Sequence, residues 1–160
     1  MGLFGWQHLL YLGIVIPLTI VGIFLVKRYC RSEKSKRIVY WSTAIAILLF
    51  ITITRVATTF INPLGWRNLV PSSICLISHT VLALAVLFLR NKNHGIFHGI
   101  VYIVILGATI VTFAPGALMV GDPNYTGTIF EVRAFFSLLY HSIGLFLAIL
   151  LIVMGEFKPT

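Results

Sequence analysis

The chain has 160 residues, of which 59% are hydrophobic and only 10% are charged. A soluble globular domain is about half apolar and about a quarter charged, so this composition excludes that class and predicts a membrane protein. The net charge of +8 comes from twelve Lys and Arg residues against four acids. In a membrane protein such an excess indicates topology, and we expect no nucleic-acid partner.

Five apolar runs are long enough to cross the hydrocarbon layer, which takes about 20 residues of helix. We predict helices at about residues 9–26, 38–61, 69–89, 96–120 and 134–154, joined by short hydrophilic connections. Because backbone groups in lipid must pair within their own segment, spans of this length are helices. The sequence therefore predicts an all-α, polytopic bundle of five transmembrane helices in the cell membrane, forming a single domain over residues 1–160.

The basic residues predict how this bundle is oriented. The first connection, the third connection and the C-terminal tail fall on one side of a five-span protein, and they carry Lys27, Arg28, Arg31, Lys34, Lys36, Arg37, Arg90, Lys92 and Lys158. The opposite side carries only Arg67 and Arg133. Because Lys and Arg accumulate in cytoplasmic loops, the N-terminus is predicted outside and the C-terminus inside.

The second predicted helix contains an arginine within its apolar run. Arg55 lies about two turns below the outer end of the helix, with Thr52 and Thr59 on the same face. A long basic side chain at this depth can extend to the lipid headgroups. The alternative is that its planar guanidinium binds a phosphate or a carboxylate. Both interpretations stay open, and Arg55 is a candidate for substrate binding.

The third predicted helix opens with a polar face. Ser72, Cys75 and His79 are spaced at i, i+3 and i+7, which places them on one side of a helix. Small and polar residues in a membrane helix usually serve close packing and interhelical hydrogen bonds. A thiol and an imidazole can also form a chemical site, so Ser72 and His79 are further candidates for substrate binding.

The fifth predicted helix repeats polar residues every four positions at Arg133, Ser137 and His141. A histidine this deep in a membrane helix should point into the bundle, toward a partner or a water-filled cavity. There it could take the proton of the Cys75 thiol, and the thiolate could attack a carbonyl carbon. Arg133 joins the candidates for substrate binding. His79 and His141 on different helices also permit axial ligation of a haem, which we rank lower; no cofactor and no metal site are predicted.

Several of these residues occur in a familiar order. Phe4 and His8 form an F-x-x-x-H motif, Pro71 precedes Cys75 by four residues, and Pro115 is followed by the segment FFSLLYHSIGLFLA. This order resembles the YwaF-type family of bacterial integral membrane proteins, which is similar to a eukaryotic transmembrane acyltransferase family acting on phospholipids. The resemblance implies a helical membrane protein with Cys75 as the acyl-accepting nucleophile and His141 as its base.

Two functions remain open on the sequence. The first is lipid-directed acyl transfer or hydrolysis in a polar pocket of the outer leaflet between helices two, three and five, with Cys75 and His141 catalytic and membrane lipids as partners. The second is a non-catalytic membrane subunit or small-solute transport component. In that case the same polar residues would bind helices to each other, to another membrane subunit or to a second copy of the chain.

Overall fold

The computed structural model describes residues 5–61, 73–89, 95–114 and 131–156. All of the secondary structure in these segments is helical. The helices are α1 (Trp6–Tyr29), α2 (Glu33–Ile61), α3 (Ile74–Phe88), α4 (Gly95–Phe113) and α5 (Val132–Val153). The predicted all-α class is therefore confirmed.

Four of these five helices, α1, α2, α4 and α5, are long and apolar enough to cross a membrane. α3 is also apolar, but its described length is 15 residues. With four such helices in the described segments, the chain is a multi-pass membrane protein. Which end of the bundle faces the cytoplasm stays a prediction based on the basic residues.

The described helix termini follow local capping rules. The hydroxyl of Ser32 accepts a hydrogen bond from the backbone N–H of Ser35 at 3.1 Å and thereby caps the start of α2. After the last turn of α5, Gly155 has a φ of 73°, which a glycine adopts without strain. There the N–H of Glu156 bonds to the carbonyl of Leu151 at 3.0 Å, a Schellman ending that fixes where Glu156 lies.

α3 begins later than the sequence pattern suggests. Ser73 has an extended backbone conformation, and its hydroxyl accepts a hydrogen bond from the N–H of Leu76 at 3.3 Å. This is the geometry of a helix N-cap, so α3 starts at Ile74 rather than near Leu69. Cys75 and His79 consequently occupy the first two turns of α3, while Ser72 lies outside the described residues.

α5 is the central helix of the bundle and contacts α1, α2, α3 and α4. In the most apolar 18-residue stretch of α5, 56% of the residues are buried, against 11% in the corresponding stretch of α1. The core around α5 contains Ile47, Leu82, Val101, Leu147 and Leu151, all fully buried. Any polar side chain on the inward face of α5 is therefore enclosed by neighbouring helices.

The start of α2 and the ends of α3 and α5 meet at one end of the bundle, where Glu33, Phe88 and Glu156 line a common cavity. The basic connection after α1 reaches α2 at this same end. We call this the basic end. Cys75 and the first turns of α3 lie toward the other end, because α3 runs from there to Phe88.

Candidate functional site

Two of the predicted site residues, His79 and His141, are brought together where α3 meets α5, and Cys75 lies one turn before His79. Cys75 and His79 lie on α3, and His141 lies on α5, which packs against α3. The rings of His79 and His141 have centroids 4.8 Å apart and meet edge to face. The two histidines therefore form a contact between helices, although they are 62 positions apart in the chain.

His79 is fully buried, and its two ring nitrogens have different surroundings. Nδ1 lies 2.6 Å from the backbone carbonyl oxygen of Cys75, one turn earlier in α3. A carbonyl only accepts, so Nδ1–H is the donor and Nε2 of the neutral ring carries the lone pair. Among the described residues Nε2 is buried without a hydrogen-bond partner.

His141 has the same arrangement on α5. It is fully buried, and its Nδ1 donates to the carbonyl oxygen of Ser137 at 2.8 Å. Its Nε2 is likewise buried with no hydrogen-bond partner in the described segments. Since both rings use Nδ1 to bond their own helix, both present Nε2 as a basic nitrogen to the interior.

Tyr140 completes a cluster of three rings. Its ring stacks on that of His141 at 4.2 Å between centroids and meets the ring of His79 edge to face at 5.4 Å. We call His79, Tyr140 and His141 the ring cluster. All three rings are buried in the interior of the bundle.

Two glycines make room for the site. A Cβ built on Gly144 of α5 would lie 2.6 Å from Nε2 of His79 and 3.5 Å from a methyl group of Val104. A Cβ built on Gly107 of α4 would lie 3.0 Å from Sγ of Cys75. The histidine therefore packs onto the bare backbone of α5, and the thiol onto the bare backbone of α4.

Cys75 differs from the two histidines in its exposure. It is only partly buried, and its neighbours Ile74 and Ile77 are 74% and 47% exposed. Large exposed apolar side chains on a membrane helix face acyl chains. The thiol consequently lies where α3 packs against α4, next to lipid-facing side chains of α3.

Comparison with known proteins places the chain in a family. A model described as the TMEM164 family matches residues 3–160, nearly the whole chain. The chain belongs to the TMEM164 family. No curated protein and no solved structure matches it. The predicted family class, a helical transmembrane protein, is thus confirmed, while the resemblance to YwaF-type proteins and to phospholipid acyltransferases stays a prediction.

The remaining predicted site residues of this TMEM164-family chain are only partly placed. Arg55 is partly buried on α2, and its backbone carbonyl accepts a hydrogen bond from Thr59 at 2.8 Å. Arg133 lies in the first turn of α5, with its side chain outside the described part of the structure. Ser72 is also outside that part, as are Phe4, Pro71 and Pro115 of the motif set.

The ring geometry bears on the haem alternative. Axial histidines bind a haem iron from opposite faces of the planar macrocycle, which must lie between the two rings. His79 and His141 are in direct contact instead, at 4.8 Å between centroids. Within the described segments no group of three or more His, Cys, Asp or Glu side chains could hold a metal ion. The direct contact between the two rings leaves no space for a macrocycle between them.

His8, the histidine of the F-x-x-x-H motif, is a buried polar residue of α1. In this TMEM164-family chain it is fully buried, and its Nε2 bonds the carbonyl oxygen of Thr112 at 2.8 Å. Thr112 lies in the last turn of α4, where carbonyl groups lack partners within the helix. His8 therefore joins α1 to the end of α4.

Tyr11 provides a second polar attachment of α1, on the side of α5. Its hydroxyl donates to the carbonyl oxygen of Leu138 at 3.0 Å and also hydrogen-bonds Ser142. Both partners lie within one turn of His141. α1 thus braces the segment of α5 that carries the ring cluster, a role that no periodicity in α1 indicates.

Proposed function

We propose that this TMEM164-family protein transfers or hydrolyses an acyl group of a membrane lipid, with Cys75 as the nucleophile. The observation that carries the proposal is a pair of buried imidazoles in contact with each other, one of them a single turn after Cys75 on α3, whose Nε2 atoms have no hydrogen-bond partner among the described residues. Leaving such nitrogens unsatisfied costs folding free energy, about 1–3 kcal/mol for each buried group. A catalytic base explains why the bundle retains them.

The pair His79 and His141 supplies the base in this proposal, with His141 as the acceptor of the thiol proton and His79 beside it. Their Nδ1–H groups are fixed on carbonyl oxygens, which orients the rings as a third group orients the base in a nucleophile–base pair. The thiolate is the reactive form of cysteine. Transfer of the thiol proton to an adjacent Nε2 would generate that form at the moment when a lipid ester lies against the sulfur.

The proposed reaction has two balanced steps. The sulfur of Cys75 attacks the ester carbonyl carbon, an S–C bond forms, and the ester C–O bond breaks. The imidazolium returns its proton to the departing alkoxide, so a lyso-lipid alcohol leaves and an acyl thioester remains. A hydroxyl group of a second lipid, or water, then attacks the thioester carbonyl carbon and gives its proton to the imidazole. A new C–O bond forms, the S–C bond breaks, and the imidazolium returns the proton to the Cys75 thiolate. The first acceptor gives transfer and the second gives hydrolysis.

Substrate would reach the thiol from the bilayer. Cys75 is partly exposed between the exposed side chains of Ile74 and Ile77, so an acyl chain can approach it without entering the ring cluster. Arg55 is a partly buried cation of α2, the helix that packs most extensively against α5. Its guanidinium suits a lipid phosphate, which it can bind through two parallel N–H groups.

Labelling with an alkyne-tagged activated acyl ester in detergent micelles tests the proposal. We expect a label that neutral hydroxylamine removes, as a thioester requires. Cys75→Ala should abolish it, while the matched control Cys30→Ala should retain it. Because general-base catalysis contributes about 10²–10⁴-fold, His141→Gln should slow labelling by roughly 100-fold, and His79→Gln should slow it as well.

Each variant is first checked for a monodisperse profile, so that misfolding is not mistaken for lost chemistry. No label on the parent protein, or equal labelling of Cys75→Ala and parent, would overturn the acyl-enzyme proposal and favour a non-catalytic membrane subunit. Loss of labelling in Cys75→Ala with full rates in both histidine variants would overturn the role of the imidazole pair.

A further inference from the structure

A second site lies at the basic end of the bundle, remote from the ring cluster. A cavity of about 630 Å³ lies there between the start of α2, the end of α3 and the segment after α5. Its polar lining consists of Glu33, Lys36, Arg37, Tyr40, Trp41 and Glu156, and its apolar lining is the segment 86–89. The cavity is large enough for the headgroup and upper chains of a small amphiphile.

The cavity is separate from Cys75. Thirteen positions separate Cys75 from Phe88, and helical residues rise about 1.5 Å each, so the two lie roughly 20 Å apart along α3. A molecule bound at the basic end therefore cannot also contact the thiol with its headgroup. Whatever binds here has a role other than that of the reacting carbonyl.

Arg37 is the cation best placed to receive a ligand. Its guanidinium lies over the ring of Trp41 at 4.3 Å from the centroid, while Lys36 forms an ion pair with Glu33 at 2.6 Å. Stacking on an indole face holds a guanidinium in one orientation and leaves its N–H groups at the edge. This is an arrangement that recognises a phosphate.

The carboxylates in the same lining limit the charge of the ligand. Glu33 and Glu156 balance Lys36 and Arg37, so the lining carries two groups of each sign. The Schellman ending of α5 fixes Glu156 at this position. A ligand with a net negative charge would meet two carboxylates, whereas one that bears both a phosphate and an amine would meet complementary groups of both signs.

The apolar lining indicates that the ligand has acyl chains. Val86 and Leu87 line the inner part of the cavity, and Phe88 beside them is 79% exposed. Trp41 is 38% exposed and lies at the same rim. Tryptophan at the end of a membrane helix marks the headgroup level, where one side of the cavity is polar and the other continues into lipid-facing surface.

From these observations we propose that the cavity at the basic end binds a phospholipid with a zwitterionic headgroup. Its phosphate would lie on Arg37, its amine toward Glu156, and its chains would leave over Phe88. The inference does not depend on the acyl-transfer proposal, since none of these residues contacts the ring cluster. It assigns this end of the protein a lipid-binding role that is separate from the chemistry proposed for the thiol.

Quenching of Trp41 fluorescence by brominated acyl chains tests the inference on the full chain in micelles. Trp6→Phe and Trp66→Phe leave Trp41 as the sole indole. The probes are a phosphocholine lipid and a phosphoglycerol lipid with the same brominated chains, and inorganic phosphate serves as the competitor without chains. We expect saturable quenching by the zwitterionic lipid, weaker quenching by the anionic lipid and no displacement by phosphate.

Arg37→Gln should weaken the affinity for the zwitterionic lipid roughly tenfold, because a charge-assisted hydrogen bond is lost. Arg28→Gln is the matched control: Arg28 stacks on Tyr29 at 5.9 Å nearby but does not line the cavity. Glu156→Gln should shift the preference toward the anionic lipid. Equal affinity of the Arg37 and Arg28 variants, equal binding of the two lipids by the parent, or displacement by phosphate would each overturn the proposal.

Discussion

Substitution of Gly144 by alanine tests directly whether His79 packs against the backbone of α5. The added Cβ would lie 2.6 Å from Nε2 of His79 and 3.5 Å from Val104. A real Cβ does not approach a ring atom so closely, so either the imidazole or α5 must shift. His79 is held from the other side by its bond to the carbonyl of Cys75, which limits how far the ring can move.

Overpacking of this kind costs about 1–3 kcal/mol. Replacing a helical glycine by alanine also favours the helix, by up to about 1 kcal/mol. Gly13→Ala in α1 is the matched control, because a Cβ there meets nothing within 4 Å and the variant has the helix-forming gain alone. The difference in unfolding free energy between the two variants should therefore be about 1–3 kcal/mol, with Gly144→Ala the less stable.

Unfolding by SDS in mixed micelles, followed by circular dichroism, gives both free energies under the same conditions. The acyl-labelling rate should fall in Gly144→Ala as well, since the imidazole is displaced. If Gly144→Ala proved as stable as Gly13→Ala, His79 would not lie on α5, and the ring cluster as described would be wrong.

Three further predictions concern Gly107, Tyr11 and the membrane side of Cys30. Gly107→Ala places a Cβ 3.0 Å from the sulfur of Cys75 and close to no other atom. It should lower the rate at which a maleimide alkylates Cys75. The unfolding free energy should fall by less than about 1 kcal/mol, because one flexible side chain can rotate away. Tyr11→Phe should cost about 0.5–1.5 kcal/mol in the same unfolding assay through loss of its hydrogen bonds, whereas Tyr29→Phe, at an exposed site, should cost nothing measurable. An impermeant maleimide should label Cys30 in inverted but not in right-side-out vesicles; labelling from the outside would reverse the predicted orientation.

Much of the architecture could be predicted because lipid restricts what a chain can do. Apolar runs that span the hydrocarbon layer have to be helical, so composition alone led to the all-α membrane class. The same reasoning indicated that His141, deep in the last helix, would face the interior, and it is fully buried. In both cases one strong physical cost decides the outcome without knowledge of the neighbouring helices.

The arrangement of the site could not be predicted in the same way. Helical periodicity gives the face on which His79 lies, but the contact with His141 depends on how α3 and α5 are rotated and shifted against each other. Gly144 leaves the room on α5 that His79 occupies. Glycines are common throughout membrane helices, so the sequence does not show which of them receives a side chain from a neighbouring helix. The N-cap at Ser73 was similarly hidden, because the apolar run over residues 69–89 suggested an earlier helix start.

Arg55 is a residue whose cost in the membrane follows from the sequence and whose burial follows from the fold. An arginine within a membrane helix costs about 2.5–3.5 kcal/mol on insertion scales, a cost that a side chain near a helix end reduces by extending to the headgroups. A guanidinium used only in that way would turn from the bundle, yet Arg55 is partly buried. Partial burial is what the acyl-transfer proposal expects of a guanidinium that binds a lipid phosphate, because such a ligand reaches it from the bilayer.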